Sequence, residues 1–185
     1  NNVEIGRFYE RFLGYLYEKN GWKVKYIGIE KGLEDLGRDL ICEKNDFIEI
    51  VQAKCWSKEK LIREKHIFQL FGTLKLYELK LKKEKSSKKI SAKLITTTKL
   101  SDVAYEIGEH LKIKIKQDFK LNDKYPMIKC NINQRTKEKI YHLPFDQQYD
   151  RTKIDMGKGE FYAASVDEAE EAGFRRAKRF KLSES

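Results

Sequence analysis

The chain has 185 residues, of which 40% are apolar and 37% charged, and it carries a net charge of +10. That length and apolar content build one domain of ordinary size with at most a small appendage, and they exclude wholesale disorder. No apolar run approaches the roughly 18 residues of a membrane span, and the start, Asn1-Asn2-Val3-Glu4, lacks a secretory pattern, so a soluble cytoplasmic protein is expected. The missing initiating Met fits a chain processed or cut from something longer. Cys42, Cys55 and Cys130 are odd in number and contain no Cys-x-x-Cys pair, which argues against a disulfide framework and a thiolate zinc site.

In chain order, Ile5, Phe8, Tyr9, Phe12, Leu13 and Leu16 recur at three- and four-residue intervals and predict an amphipathic helix from Val3 to Asn20. Gly21 stops it. Trp22, Val24 and Tyr26 alternate with lysines and predict a strand to Ile29, followed by a polar loop with Gly32 and Gly37. Two strands, Arg38–Cys42 and Phe47–Trp56, are expected around a four-residue turn, Glu43-Lys44-Asn45-Asp46. A long helix from Lys58 to about Leu81 follows, then a Lys82–Lys89 loop, a strand Ile90–Thr97, a helix capped by Ser101 and a strand Ile113–Lys116. This order predicts an α/β fold, a mixed sheet flanked by helices. The expected domains are a core over 1–120, a linker over 121–138 and a small α+β module over 139–185, with a helix Val166–Ala172.

The positive charge is uneven. Basic and acidic side chains number 15 and 13 in residues 1–80, 16 and 7 in 81–140, and 8 and 9 in 141–185. A basic block in the middle suits a polyanion such as nucleic acid; it equally suits a lysine-rich solvated surface.

The four-residue turn would pair Cys42 with Phe47 and Asp39 with Ile50. Side chains alternate along a strand, so Asp39, Gln52 and Lys54 would then share a face. A carboxylate and an amide oxygen are hard ligands suited to Mg²⁺, and a lysine beside them can orient water and stabilise charge on a phosphorane. One carboxylate is a thin site, and Glu10 on the first helix is the best further acid, with Asp35 second. A capping Asp, a satisfied Gln and a surface Lys would also explain the three residues.

The wider pattern is more specific. Gly6-Arg7-Phe8-Tyr9-Glu10, Asn20-Gly21-Trp22-Lys23-Val24, Asp35-Leu36-Gly37-Arg38-Asp39-Leu40-Ile41 and Val51-Gln52-Ala53-Lys54-Cys55-Trp56 together resemble the Mrr-type branch of the PD-(D/E)xK nucleases, in which Gln commonly replaces the second acid. Leu70-Phe71-Gly72-Thr73-Leu74 and Ile95-Thr96-Thr97-Thr98 are similar to the family's continuation. The resemblance covers about residues 5–117. It implies a restriction-endonuclease-like core and a Mg²⁺- or Mn²⁺-dependent endonuclease acting on double-stranded DNA, with Asp39, Gln52 and Glu10 as metal ligands and Lys54 as the catalytic lysine. Cutting both strands implies a homodimer or two encounters. The readings kept open beside it are a non-catalytic DNA-binding module, a protein-interaction subunit and a structure-specific nuclease such as a junction resolvase.

Lys58, Lys60, Arg63, Gln69, Lys82, Lys83 and Lys85 are further candidates for DNA contact, and His66 is read as a surface or packing residue sooner than a functional one. Residues 130–181, with Ile140-Tyr141-His142-Leu143-Pro144 and Gly173-Phe174-Arg175-Arg176-Ala177-Lys178-Arg179-Phe180, resemble the Ada-type zinc module and its metal-free relatives, called Sunset domains. That resemblance places the four zinc cysteines at His142, Asp146, Ala177 and Phe180. Ala and Phe cannot ligate zinc, so none is expected, and Arg175 and Arg176 become candidates for the DNA backbone.

Overall fold

The computed structural model describes residues 2–27, 38–57 and 59–177. The expectations for Gly32, Asp35, Gly37, Lys58 and Phe180 lie outside the described residues. The chain divides into two compact units, Asn1–Asp123 and Lys124–Ser185.

The first unit runs α1 (Asn2–Lys19), β1 (Lys23–Tyr26), β2 (Leu40–Lys44), β3 (Phe47–Lys54), α2 (Glu64–Lys83), β4 (Lys89–Thr96), α3 (Asp102–His110) and β5 (Lys114–Lys116). Among the described residues the order of elements is the predicted one. The sheet order is β1-β2-β3-β4-β5, with β1, β2 and β3 antiparallel and β3, β4 and β5 parallel. Residues Ile48 to Gln52 are all buried, as expected of a central strand covered on both faces. On one face Ile50, Ala92 and Leu94 pack against Ile67, Leu70 and Leu74 of α2 and Ala104 of α3. The opposite face is covered by α1, whose Tyr17 reaches Glu49. Gly21 ends α1 at φ +79°, where a side chain would be strained. Gly14 gives Tyr26 the room to lie against the helix.

Two predicted boundaries move for physical reasons. The β2–β3 turn holds two residues, not four: Lys44 pairs with Phe47 and Ile41 with Ile50, and Asn45 supplies a left-handed φ of 52°. The register therefore shifts by two, which leaves every β2 side chain on its expected face because the side-chain period is two. Asp39 no longer opposes Ile50; it lies just ahead of β2. The long helix begins at Glu64, not Lys58, because Ile62 is extended and bridges to Leu100. The Ile62 N–H donates to Lys99 O at 2.9 Å and the Ser101 N–H to Ile62 O at 3.0 Å.

The second unit holds β6 (Ile128–Ile132), β7 (Lys139–His142), a 3₁₀ turn (Met156–Lys158), β8 (Phe161–Ala163), α4 (Val166–Glu171) and β9 (Arg175–Arg176). Its sheet order is β8-β6-β7-β9, around a core of Ile128, Cys130, Tyr141, Ala163, Ala169 and Phe174. Residues 128–132, expected within a linker, are thus a central strand. Burial of Lys129 is tolerated because its Nζ donates to Tyr149 O (3.0 Å) and Thr152 O (2.7 Å) and sits 4.7 Å from the Tyr149 ring centroid. Among the described residues, no helix is long and apolar enough to cross a membrane.

Candidate active site

The C-terminal end of β3 carries Gln52 and Lys54, and the chain around it fastens them from three sides. Asp39 donates its N–H to Val51 O at 2.9 Å, and its Oδ2 accepts the N–H of Ala53 at 2.6 Å. Ala53 is the residue between Gln52 and Lys54, so the carboxylate is tied to the backbone that presents them. β4 supports the same end: Gln52 pairs with Leu94 and Lys54 with Thr96, and the Thr97 N–H donates to Lys54 O at 3.0 Å. The Thr97 hydroxyl then bridges Trp56, accepting from its N–H (2.9 Å) and donating to its O (2.8 Å). The Thr98 hydroxyl donates to Lys60 O at 2.8 Å. Thr97 and Thr98 thus hold the strap from Lys54 to Lys60. The run of three threonines at a strand end was the sequence signal for this.

Gln52 is fully buried, yet neither its Oε1 nor its Nε2 has a hydrogen-bond partner. An unmade hydrogen bond on a buried polar group costs about 1–3 kcal/mol, so two on one side chain call for a ligand. Side-chain alternation puts Gln52 and Lys54 on the face of Ile50, under the N-terminal part of α2. There His66 packs edge-on against Trp56, with ring centroids 5.1 Å apart and an interplanar angle of 80°. Both His66 ring nitrogens are also buried without a partner. Burial, and then the nearby charges of Lys54 and Lys65, hold the imidazole below its ordinary range, so it is neutral near pH 7. The sequence treated His66 as packing; no local pattern placed it beside Lys54.

Glu10 is half-buried on α1, with its Oε2 away from solvent. Its neighbour Tyr9 is buried close enough to Cys55, the residue after Lys54, for the two to repel when ionised. That proximity brings this stretch of α1 toward the same end of the sheet. Among the described residues no three His, Cys, Asp or Glu side chains converge as a metal cluster. The donor set nevertheless fits Mg²⁺, which is held by one or two carboxylates and completes its shell with water and substrate phosphate: the fastened Asp39 carboxylate and the orphaned Gln52 carbonyl oxygen are hard ligands of this kind.

The candidate DNA-contacting residues separate into groups. Lys60 and Arg63 are exposed at the site end, and Lys65 and Lys99, of which Lys99 was missed, join them there; Arg63 and Lys99 flank a groove of about 660 Å³ that also includes Leu61 and Ser101. Gln69 is exposed one turn beyond His66. Lys82, Lys83 and Lys85 lie elsewhere. Phe47 pairs with Lys89 and Lys54 with Thr96, so the lysine loop stands seven residues back along the strands, about 23 Å from Lys54. In the second unit, Arg175 pairs with Glu138 at 2.8 Å and Arg176 with Asp146 at 2.6 Å.

A restriction endonuclease family model, Mrr_cat, matches residues 4–121. No curated protein sequence matches the chain. Among solved structures, the crystal structure of the protein of unknown function AF1548 is similar over 60% of this chain and 56% of its own, with 18% identity and a TM-score of 0.43. The MspJI restriction endonuclease, solved in complex with a 27-mer oligonucleotide, is similar over 61% of this chain and 24% of its own, with 12% identity and a TM-score of 0.41. The chain therefore spans little over half of the first and a quarter of the second.

Proposed function

The chain belongs to the Mrr_cat family of restriction endonucleases, and on that premise we propose that it is a metal-dependent endonuclease hydrolysing phosphodiester bonds of double-stranded DNA. The observation that carries this reading is the buried Gln52 amide without a partner, next to an Asp39 carboxylate tied to Ala53 and a half-buried Lys54. Asp39 and Gln52 hold the cation, Mg²⁺ or Mn²⁺, and Glu10 supplements them from α1. When bound, the cation takes up phosphate charge and acidifies water. Lys54 makes no ion pair or side-chain hydrogen bond among the described residues, so its ammonium is available to orient the attacking water and to stabilise charge on the phosphorane. Lys60, Arg63, Lys65 and Lys99 line the approach of the DNA backbone, each displacing counterions from it. Cutting both strands takes two copies or two encounters.

The second unit reads as a metal-free relative of the Ada-type module. At two positions assigned to zinc cysteines, His142 Nε2 meets Asn131 Oδ1 at 3.0 Å, and the Asp146 carboxylate accepts from Leu143 N–H at 2.7 Å and from Arg176. These bonds tie the same loops that a metal would.

Supercoiled plasmid incubated with wild type and Lys54→Ala, in Mg²⁺, Mn²⁺ or EDTA, tests the reading. Nicking or linearisation that needs the metal and disappears in the variant supports it. Binding without cutting in every condition leaves a DNA-binding module instead.

A further inference from the structure

We propose that His66 contacts the scissile phosphate, completing with Lys54 a pair of donors that the fold leaves without an acceptor. The inference rests on the nuclease reading and deepens it. Three observations meet at this ring. Trp56, pinned through both backbone groups to the Thr97 hydroxyl, packs against the imidazole with ring centroids 5.1 Å apart and planes at 80°, which restrains the ring. Among the described residues neither nitrogen has a partner, although both are closed off from solvent. Lys54, whose charge acts on the ring, makes no ion pair or side-chain hydrogen bond among the described residues either.

A packing histidine would leave one nitrogen in water or on a carbonyl oxygen. Two nitrogens and an ammonium without partners among the described residues leave a site whose missing member is an acceptor, and one with negative charge. Arg63, Lys65, Lys60 and Lys99 at the same end of the sheet favour an anion there. A phosphodiester oxygen meets that requirement. The imidazole stays neutral beside Lys54, so it adds a hydrogen bond to the phosphate without a second full charge repelling the lysine. Its other nitrogen is left to accept from water at the phosphate.

The 185-residue chain has three histidines, so the imidazole nitrogens are resolvable by long-range ¹H–¹⁵N correlation. The probe is a duplex oligonucleotide added in EDTA, with His66→Phe used to assign the signal. The ring signals of His66 are expected to move on saturation with duplex. Signals that stay in place while the protein is saturated overturn the proposal; a protein that binds no duplex overturns the reading beneath it as well. The second arm compares cutting in Mg²⁺ by His66→Phe, which keeps the ring on Trp56, and by His66→Gln, which restores a donor and an acceptor. At saturating DNA the Phe variant is expected to lose about a hundredfold in kcat, with Gln cutting faster than Phe whatever their melting temperatures. Equal rates in the two variants would make His66 a packing residue and overturn the proposal.

Discussion

Glu49 and Gln52 stand three residues apart on β3, are both buried, and point to opposite faces of one sheet. On the α1 face, Glu49 is saturated: the Tyr17 hydroxyl, the Lys114 ammonium at 2.6 Å and the Ser91 hydroxyl at 3.3 Å all donate to it. Burial pushes its carboxyl up, but the hydrogen bonds from Lys114 and Tyr17 outweigh that and hold it below the ordinary range. On the α2 face, Gln52 has no partner among the described residues. One strand supports both, and both are buried on it, so the difference is not one of depth. A buried polar group with its bonds made is part of the fold, and one whose bonds are left open is met by water or by a ligand.

The largest expected effect breaks the open side. Lys54→Ala should lower metal-dependent cutting by about a thousandfold with an unchanged melting midpoint, measured on supercoiled plasmid and by calorimetry. Gln52→Met, which keeps the volume of the buried side chain, should cost about a hundredfold in cutting, again without loss of fold stability. The closed side should behave in reverse. Glu49→Ala strands the Tyr17 hydroxyl and should cost about 1–3 kcal/mol in urea unfolding, with little contribution from Lys114, whose side chain is 57% exposed. Cutting by the folded fraction should stay near wild type.

The same contrast has a pH signature. The Glu49 carboxyl is lowered in the folded state, so its contribution to stability is present above the unfolded value of about 4.3 and is lost as pH falls through the lower folded value. Urea midpoints taken downward from about pH 5 should therefore fall more steeply for wild type than for Glu49→Gln. The smallest effect separates the two ends of the sheet. Replacing Lys60, Arg63 and Lys99 by Gln should flatten the salt dependence of DNA binding by up to about one logarithmic unit of slope per residue, whereas the same change at Lys82, Lys83 and Lys85 should leave it unaltered.

Much of this was legible in the sequence because it is local. The stripe Tyr9-Phe12-Leu13, the alternation around Val24 and Tyr26 and the Ser101 cap each predict an element that forms, and the Ser101 hydroxyl accepts from Ala104 N–H as a cap should. The wrong turn length at Asn45-Asp46 did no harm to the faces, because the error was an even number of residues. What was not legible is non-local. The lysine loop reads as a clamp until the parallel pairing of β4 with β3 carries it to the far end. Likewise, nothing in the spacing of Asp39 and Ala53 shows that a carboxylate caps that N–H, and nothing near His66 shows that Trp56 and Lys54 will surround it. Nor does anything local show that β9 sets Arg175 beside Glu138 and Arg176 beside Asp146.

The central claim is that the open bonds of Gln52 serve a ligand and not the fold. The most direct test is the thermal midpoint of Gln52→Met, which keeps the shape and length of the side chain and removes both polar atoms. A midpoint equal to or above that of wild type is the result expected here, since no protein hydrogen bond is lost and a buried unsatisfied amide is removed. A fall of several degrees would mean that Gln52 is bonded within the fold as Glu49 is, and would contradict the account.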